Sequence, residues 1–178
     1  MKHPIFQPIL AIFLATALLL GLFFGLHKTA QKNAQAEHLR LMQTLLPGST
    51  TFQAEPYTGE DANIRSVHKG ETGFVIETAT QGYADEIILL VGVSKEGKVT
   101  GLVVQELHET LGLGANALTD WEFLAQFLRS EGDAEVGTNV DAITGATVTS
   151  KAIARCVNSA VAFVTGADTD SGATSWGG

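Results

Sequence analysis

The stretch whose reading decides the fold runs EIILLVGV (residues 86–93), SKEG (94–97) and KVTGLVVQEL (98–107). Two runs rich in β-branched residues, joined by a short glycine-containing turn, read as an antiparallel hairpin. Residues 87–91 are apolar without alternation, which suits a strand covered on both faces, so the hairpin is expected at the centre of a sheet. Upstream, residues 64–68 and 73–80 have strand character and flank the turn Lys69-Gly70-Glu71. Residues 51–61, with Pro56, Gly59 and several acids, read as a connection holding one short strand. Downstream the apolar period becomes helical. Thr119-Asp120 forms a helix cap ahead of a stripe of Trp121, Phe123, Leu124, Phe127 and Leu128 that ends near Ser130, with the aromatics expected in the core. Ile153, Val157, Ala160, Val161 and Val164 mark a second amphipathic helix over residues 149–165. The fold class is α+β, with one central antiparallel sheet flanked by helices.

The N-terminus is different in kind. Residues 9–26 read ILAIFLATALLLGLFFGL, without a charge and with Thr16 as the only mildly polar member. At helical rise this run spans roughly 27 Å, close to the hydrocarbon core of a bilayer. A single transmembrane anchor is expected. A cleavable signal peptide is the rival, since Lys2 gives a short positive region, but the apolar run exceeds the usual 7–15 residues. The only small-x-small site downstream, Ala34-Gln35-Ala36, lies beyond Lys28 and Lys32. Charge on the two flanks is nearly balanced, so the positive-inside rule does not fix the orientation. Residues 30–46 place Leu39, Met42, Leu45 and Leu46 on one helical stripe that stops at Pro47-Gly48. The expected organisation is an anchor over residues 1–28, a helical connection over 29–50, a folded domain over 51–165 and a disordered Gly, Ser, Thr and Asp tail over 166–178.

The 178 residues leave room for one domain and an appendage. Eleven Lys and Arg stand against 19 Asp and Glu, a net charge of −8. Residues 1–50 carry +3, from Lys2, Lys28, Lys32 and Arg40 against Glu37, so the remainder carries −11. An acidic body repels phosphate backbones, which argues against nucleic acid as a partner. The lone Cys156 forms no intrachain disulfide, and no Cys/His spacing suits a metal or an iron–sulfur cluster. Cys156 falls within the last helix and reads as a packed residue. No metal site and no general acid–base pair emerges.

Three segments carry candidate chemistry. In Asp141-Ala142-Ile143-Thr144-Gly145-Ala146-Thr147-Val148-Thr149-Ser150, small residues at 145 and 146 let a bulky group approach the backbone. Thr147, Thr149 and Ser150 crowd a helix N-terminus, where backbone N–H groups and the dipole favour an anion such as phosphate. Those hydroxyls equally suit plain helix capping, and the residues alone leave both roles open. The second segment is His108-Glu109-Thr110-Leu111-Gly112-Leu113-Gly114-Ala115-Asn116-Ala117. Its Gly112-x-Gly114-x-x-Ala117 spacing is a weak dinucleotide fingerprint, but the strand before it belongs to an antiparallel hairpin and no helix opens there. His108-Glu109 starts like a zinc HExxH motif and fails at Gly112. The third, Asp168-Thr169-Asp170-Ser171-Gly172-Ala173-Thr174, repeats the letters of the first without a helix after it. It lacks the closing Glu of a calcium loop.

Asp-x-x-Thr-Gly-Ala-Thr at residues 141–147 resembles the flavinylation signature of FMN-binding domains. With its N-terminal anchor and single α+β body, the chain resembles the G-subunit family of the Rnf electron-transport complex, related to the C subunit of the sodium-translocating NADH:quinone reductase. The resemblance implies covalent FMN on Thr147, transferred from FAD by a flavin transferase that recognises Asp141, Thr144, Gly145 and Ala146. Thr149 and Ser150 would then support the phosphate. Glu109, Thr110, Gly112, Leu113 and Gly114 resemble the family's Glu-Thr-Pro-Gly-Leu-Gly loop against the flavin, with Leu111 where Pro is usual. Thr174 becomes a secondary candidate for modification. The implied function is a one-electron relay in a multi-subunit oxidoreductase that moves Na⁺ or H⁺ while exchanging electrons between ferredoxin and NAD, with little turnover alone. The implied location is the bacterial cytoplasmic membrane, single-pass, with the flavin domain extracytoplasmic. The alternatives are a membrane-anchored flavoprotein donor or sensor outside such a complex, and an assembly subunit with an idle motif.

Overall fold

The computed structural model describes residues 6–107, 120–128 and 130–167. The chain divides into two compact units, Met1–Arg40 and Leu41–Gly178. Helix α1 runs over Phe6–Leu45. In the first unit Leu18, Leu19, Leu20, Leu22, Phe23 and Leu26 are all exposed. Among the described residues no helix is long and apolar enough to cross a membrane, and most side chains of the 9–26 run lie outside that set.

Among the described residues the second unit is built on a five-stranded sheet of β1 (Gln53–Glu55), β2 (Ile64–Lys69), β3 (Gly73–Gln81), β4 (Glu86–Ser94) and β5 (Val99–Leu107). The order β1-β2-β3-β4-β5 is an antiparallel meander, because each short turn returns the chain beside the strand it has just left. The β4–β5 hairpin is as expected, but its place is not. Among the described residues the central strand is β3, and β5 lies at an edge. Both faces of β4 are nevertheless covered: Ile87, Leu89, Val91 and Val93 face the main core, while Leu90 joins a second cluster on the opposite side. Continuous apolarity therefore reported two covered faces and not central rank.

Helix α3 (Thr147–Thr165) packs across β3 and β4 and supplies Ala152, Ile153, Cys156, Val157, Ala160 and Val161 to the main core. On the other face Met42, Leu45 and Leu46, from the end of α1 and just after it, pack on Val75 and Leu90. Two glycines make room for them. Gly92 and Gly101 are cross-strand partners, and the backbone of Leu45 lies directly over both. Thr100 Oγ1 donates to the Leu45 carbonyl at 2.5 Å, satisfying an acceptor at the helix end. The chain after α1 is then held to the β2–β3 turn. The Glu71 carboxylate accepts from the backbone N–H groups and the hydroxyls of both Thr50 and Thr51, and Ser49 Oγ and Thr72 Oγ1 are 2.9 Å apart. Thr51 first, then the neighbouring donors, hold the Glu71 pKa down at about 2.

Helix α2 (Trp121–Ala125) is shorter than the stripe suggested. Asp120 caps it, its carboxylate accepting from Phe123 N at 3.0 Å. Phe123 and Phe127 are buried in an edge-to-face pair with centroids 5.2 Å apart, but Trp121 is 71% exposed and does not join the core. Trp121 lies two positions before Phe123, about 200° around the helix, and so faces away from the core.

Candidate functional site

The site is built where the chain passes from α2 to α3. Residues 130–146 form turns and an isolated bridge between Val136 and Val140, and several of the backbone groups that these leave over find partners in side chains. Three amides supply them. Asn139 accepts from Glu135 N at 2.8 Å and donates to the Asp133 carbonyl at 2.7 Å. Asn158 of α3 accepts from Ala134 N at 3.0 Å and donates to the Ala134 carbonyl at 2.9 Å. Gln126, just after α2, accepts from Asp141 N at 2.8 Å and donates to the Asp141 carbonyl at 3.4 Å.

From Asp141 the chain enters a tight turn. Ala146 N donates to the Ile143 carbonyl at 2.9 Å, and Gly145, the third residue of that turn, has φ of 79°. A glycine is required there because a side chain at that φ strains the backbone. Ala146 is buried and ends the turn as the N-cap of α3, with no side-chain hydrogen bond to the helix. Its methyl leaves the cap position without an acceptor. Thr147 follows as the first residue of the helix and is exposed.

The three hydroxyls divide by burial. Thr147 is accessible, whereas Thr149 and Ser150 are 1% and 0% exposed. Ser150 Oγ accepts from Ile143 N at 3.1 Å and donates to the Ala146 carbonyl at 2.9 Å, so it braces the turn from inside. Asp141, Thr144 and Gly145 are exposed beside Thr147, forming a short accessible segment. Helical phase places Thr149 inward with Ile153 and Cys156, about 160° from Thr147, whereas Ser150 is only about 60° from Thr147 and is buried because the turn before α3 folds over its hydroxyl.

Glu109, Thr110, Gly112, Leu113 and Gly114 lie outside the described residues, as does Thr174. Among the described residues no group of three or more His, Cys, Asp or Glu side chains could hold a metal ion. Cys156 is buried in the core, and burial pushes its thiol up to about 12. Gln126, Asn139 and Asn158 were not singled out by sequence. Lone amides carry no periodic signal, and their role depends on which backbone they meet.

An exposed hydroxyl on the first residue of a 19-residue helix, with no capping side chain before it, suits a phosphoryl group. Such a group would be accommodated at the exposed position, and the helix N-terminus would favour its negative charge. The residues present thus fit the phosphate end of FMN.

Residues 82–162 match the family described as FMN-binding domain. The chain is 34% identical over 165 residues to the G subunit of the ion-translocating oxidoreductase complex of Methanosarcina acetivorans, covering 83% of this chain and 86% of that protein. It is 31% identical over 144 residues to the G subunit of the Na⁺-translocating ferredoxin:NAD⁺ oxidoreductase complex of Acetobacterium woodii, covering 67% and 70%. The G subunit of the proton-translocating ferredoxin:NAD⁺ oxidoreductase complex of Clostridium ljungdahlii is 40% identical over 99 residues, about half of each chain.

Proposed function

We propose, for a chain that belongs to the family of G subunits of ion-translocating oxidoreductase complexes, that it carries FMN on Thr147 and relays electrons within such a membrane complex. The observation that carries this reading is the accessible Thr147 hydroxyl at the start of α3, beyond a turn that Gly145 and Ser150 hold in shape. In the attachment step Thr147 Oγ1 attacks the FMN-side phosphorus of FAD. The Oγ1–P bond forms, the bridging P–O bond of the pyrophosphate breaks, AMP leaves with that electron pair, and the hydroxyl proton passes to a base on the transferase or to water. Asp141, Thr144, Gly145 and Ala146 form the segment that the flavin transferase reads. Thr149 and Ser150 stand behind Thr147 as second-line support for the phosphate, with Ser150 also bracing the turn. Bound FMN supplies one-electron chemistry, which suits a fixed relay between partner subunits.

Residues 1–28 serve as a single-pass anchor in the bacterial cytoplasmic membrane, residues 29–50 lead away from it, residues 51–165 hold the flavin, and residues 166–178 form a tail. The anchor is supported by eighteen consecutive uncharged residues and by exposed leucines at 18, 19 and 20, which spread apolar surface over about 200° of α1. The flavin domain is extracytoplasmic, and the loop carrying Glu109, Thr110, Gly112, Leu113 and Gly114 lies against the flavin. The partners are the other subunits of the complex and the electron flow runs between ferredoxin and NAD, as the names of the relatives state for theirs.

The full chain, expressed with a flavin transferase, is expected to give a band on a denaturing gel that fluoresces under ultraviolet light, and Thr147→Ala is expected to abolish it. A fluorescent Thr147→Ala band would move the attachment to Thr174 or elsewhere. A dark wild-type band would leave the motif idle.

A further inference from the structure

The side chain of Gln126 makes the two hydrogen bonds that a neighbouring strand would make, to the N–H and the carbonyl of Asp141. Only a primary amide offers a donor and an acceptor in one plane in this way, so Asn and Gln are the two residues suited to the task. Gln126 is itself exposed and adds nothing to the core, yet its neighbourhood is immobilised by Phe123 and Phe127, both buried. Asp141 opens the segment that ends in Thr147, and the segment's other end is held from inside by Ser150. Between these two clamps runs the Gly145 turn, closed by one backbone hydrogen bond.

We propose that Gln126 is a positioning residue for flavinylation, holding Asp141 so that residues 141–147 meet the transferase already in their reactive shape. This rests on the reading of Thr147 as the attachment point. With Ile143 and Ala146 already held by Ser150 and the turn bond, Gln126 fixes the remaining residues of the segment, Asp141 and Ala142. The arrangements they would otherwise sample must be excluded before the transferase can bring FAD to Thr147 Oγ1. The clamp removes that cost in advance. Gln126 lies outside the Asp-x-x-Thr-Gly-Ala-Thr motif and touches no reacting atom.

The test uses the full chain in detergent with FAD and a flavin transferase. It follows the growth of gel fluorescence at several protein concentrations, so that kcat and KM separate, alongside the melting temperature of each protein before flavin is added. Gln126→Ala is expected to lower kcat/KM about tenfold, in keeping with the cost of a misplaced reactive group, while melting within a few degrees of wild type. Gln126→Glu keeps the acceptor for Asp141 N–H at full reach and is expected to fall between the two. Asn158→Ala removes an equivalent amide clamp, on Ala134, away from the motif and is expected to leave kcat/KM within about twofold. Gln126→Ala labelling at the wild-type rate overturns the proposal, as does equal slowing in Asn158→Ala, which would reveal general loosening. In both cases a fluorescent wild type and a dark Thr147→Ala leave the attachment site standing. A dark wild type removes both readings together.

Discussion

Replacing Gly92 by alanine tests how the sheet receives the end of α1. A methyl there would collide with the Leu45 carbonyl oxygen and stand 2.7 Å from its carbon and 2.8 Å from Thr100 Oγ1. Backbone cannot swing aside as a flexible side chain can, so the chain at Leu45 must lift from the sheet. Overpacking of this kind costs about 1–3 kcal/mol. Lifting also breaks the hydrogen bond from Thr100 to Leu45, worth about 1 kcal/mol. It further exposes part of Met42, Leu45 and Leu46, which are 5%, 5% and 1% exposed. Against this, alanine restricts the unfolded chain and returns about 0.4–1 kcal/mol. The net loss is about 3 kcal/mol, and for a unit of this size it lowers the melting temperature by roughly 10–15 °C. The assay is thermal unfolding of the full chain in detergent, followed by circular dichroism. Gly137→Ala is the control: at φ of 93° it strains the backbone, but a methyl there meets nothing within 4 Å. Its cost is about 1–2 kcal/mol. Gly92→Ala melting within 2 °C of wild type, or above Gly137→Ala, would refute the steric argument.

Glu71 makes the fold sensitive to acid. Its folded pKa of about 2 lies below the ordinary 4.5, so its contribution is complete above about pH 4.5 and is lost as pH falls toward 2. Between those values wild type should lose stability more steeply than Glu71→Gln, as measured by urea unfolding at each pH, and parallel slopes would contradict the assignment. Cys156, buried and pushed up to about 12, should react with a thiol reagent at pH 8 on the order of a thousandfold more slowly in the native protein than in urea. Rapid native labelling would mean that α3 opens. Asn158→Ala leaves the Ala134 N–H and carbonyl without their side-chain partner and should cost about 1–3 kcal/mol in urea unfolding, and no loss would show that water replaces the amide.

What the sequence determined by itself was local. Strand and helix periods depend on neighbours a few residues apart, so the β4–β5 hairpin, the two earlier strands and the amphipathic face of α3 could be read from spacing alone. The seven-residue motif was legible for the same reason, and it selected Thr147 and its neighbours as candidates. What only the tertiary structure decided depends on residues far apart in the chain. Apolar density could not distinguish the central strand from one lying beside it, because α3 and the end of α1 together cover both faces of β4. A stripe could not reveal which of its aromatics α2 turns inward: Phe123 is buried, and Trp121, two positions earlier and about 200° around the helix, is exposed. Three hydroxyls near one helix start looked equivalent in sequence, and packing of α3 on the sheet and of the turn before it separated the exposed Thr147 from the buried Thr149 and Ser150. The clamp of Gln126 on Asp141 spans 15 residues and is invisible until α2 and the turn meet, since a hydrogen bond depends on distance and direction in space and not on position along the chain.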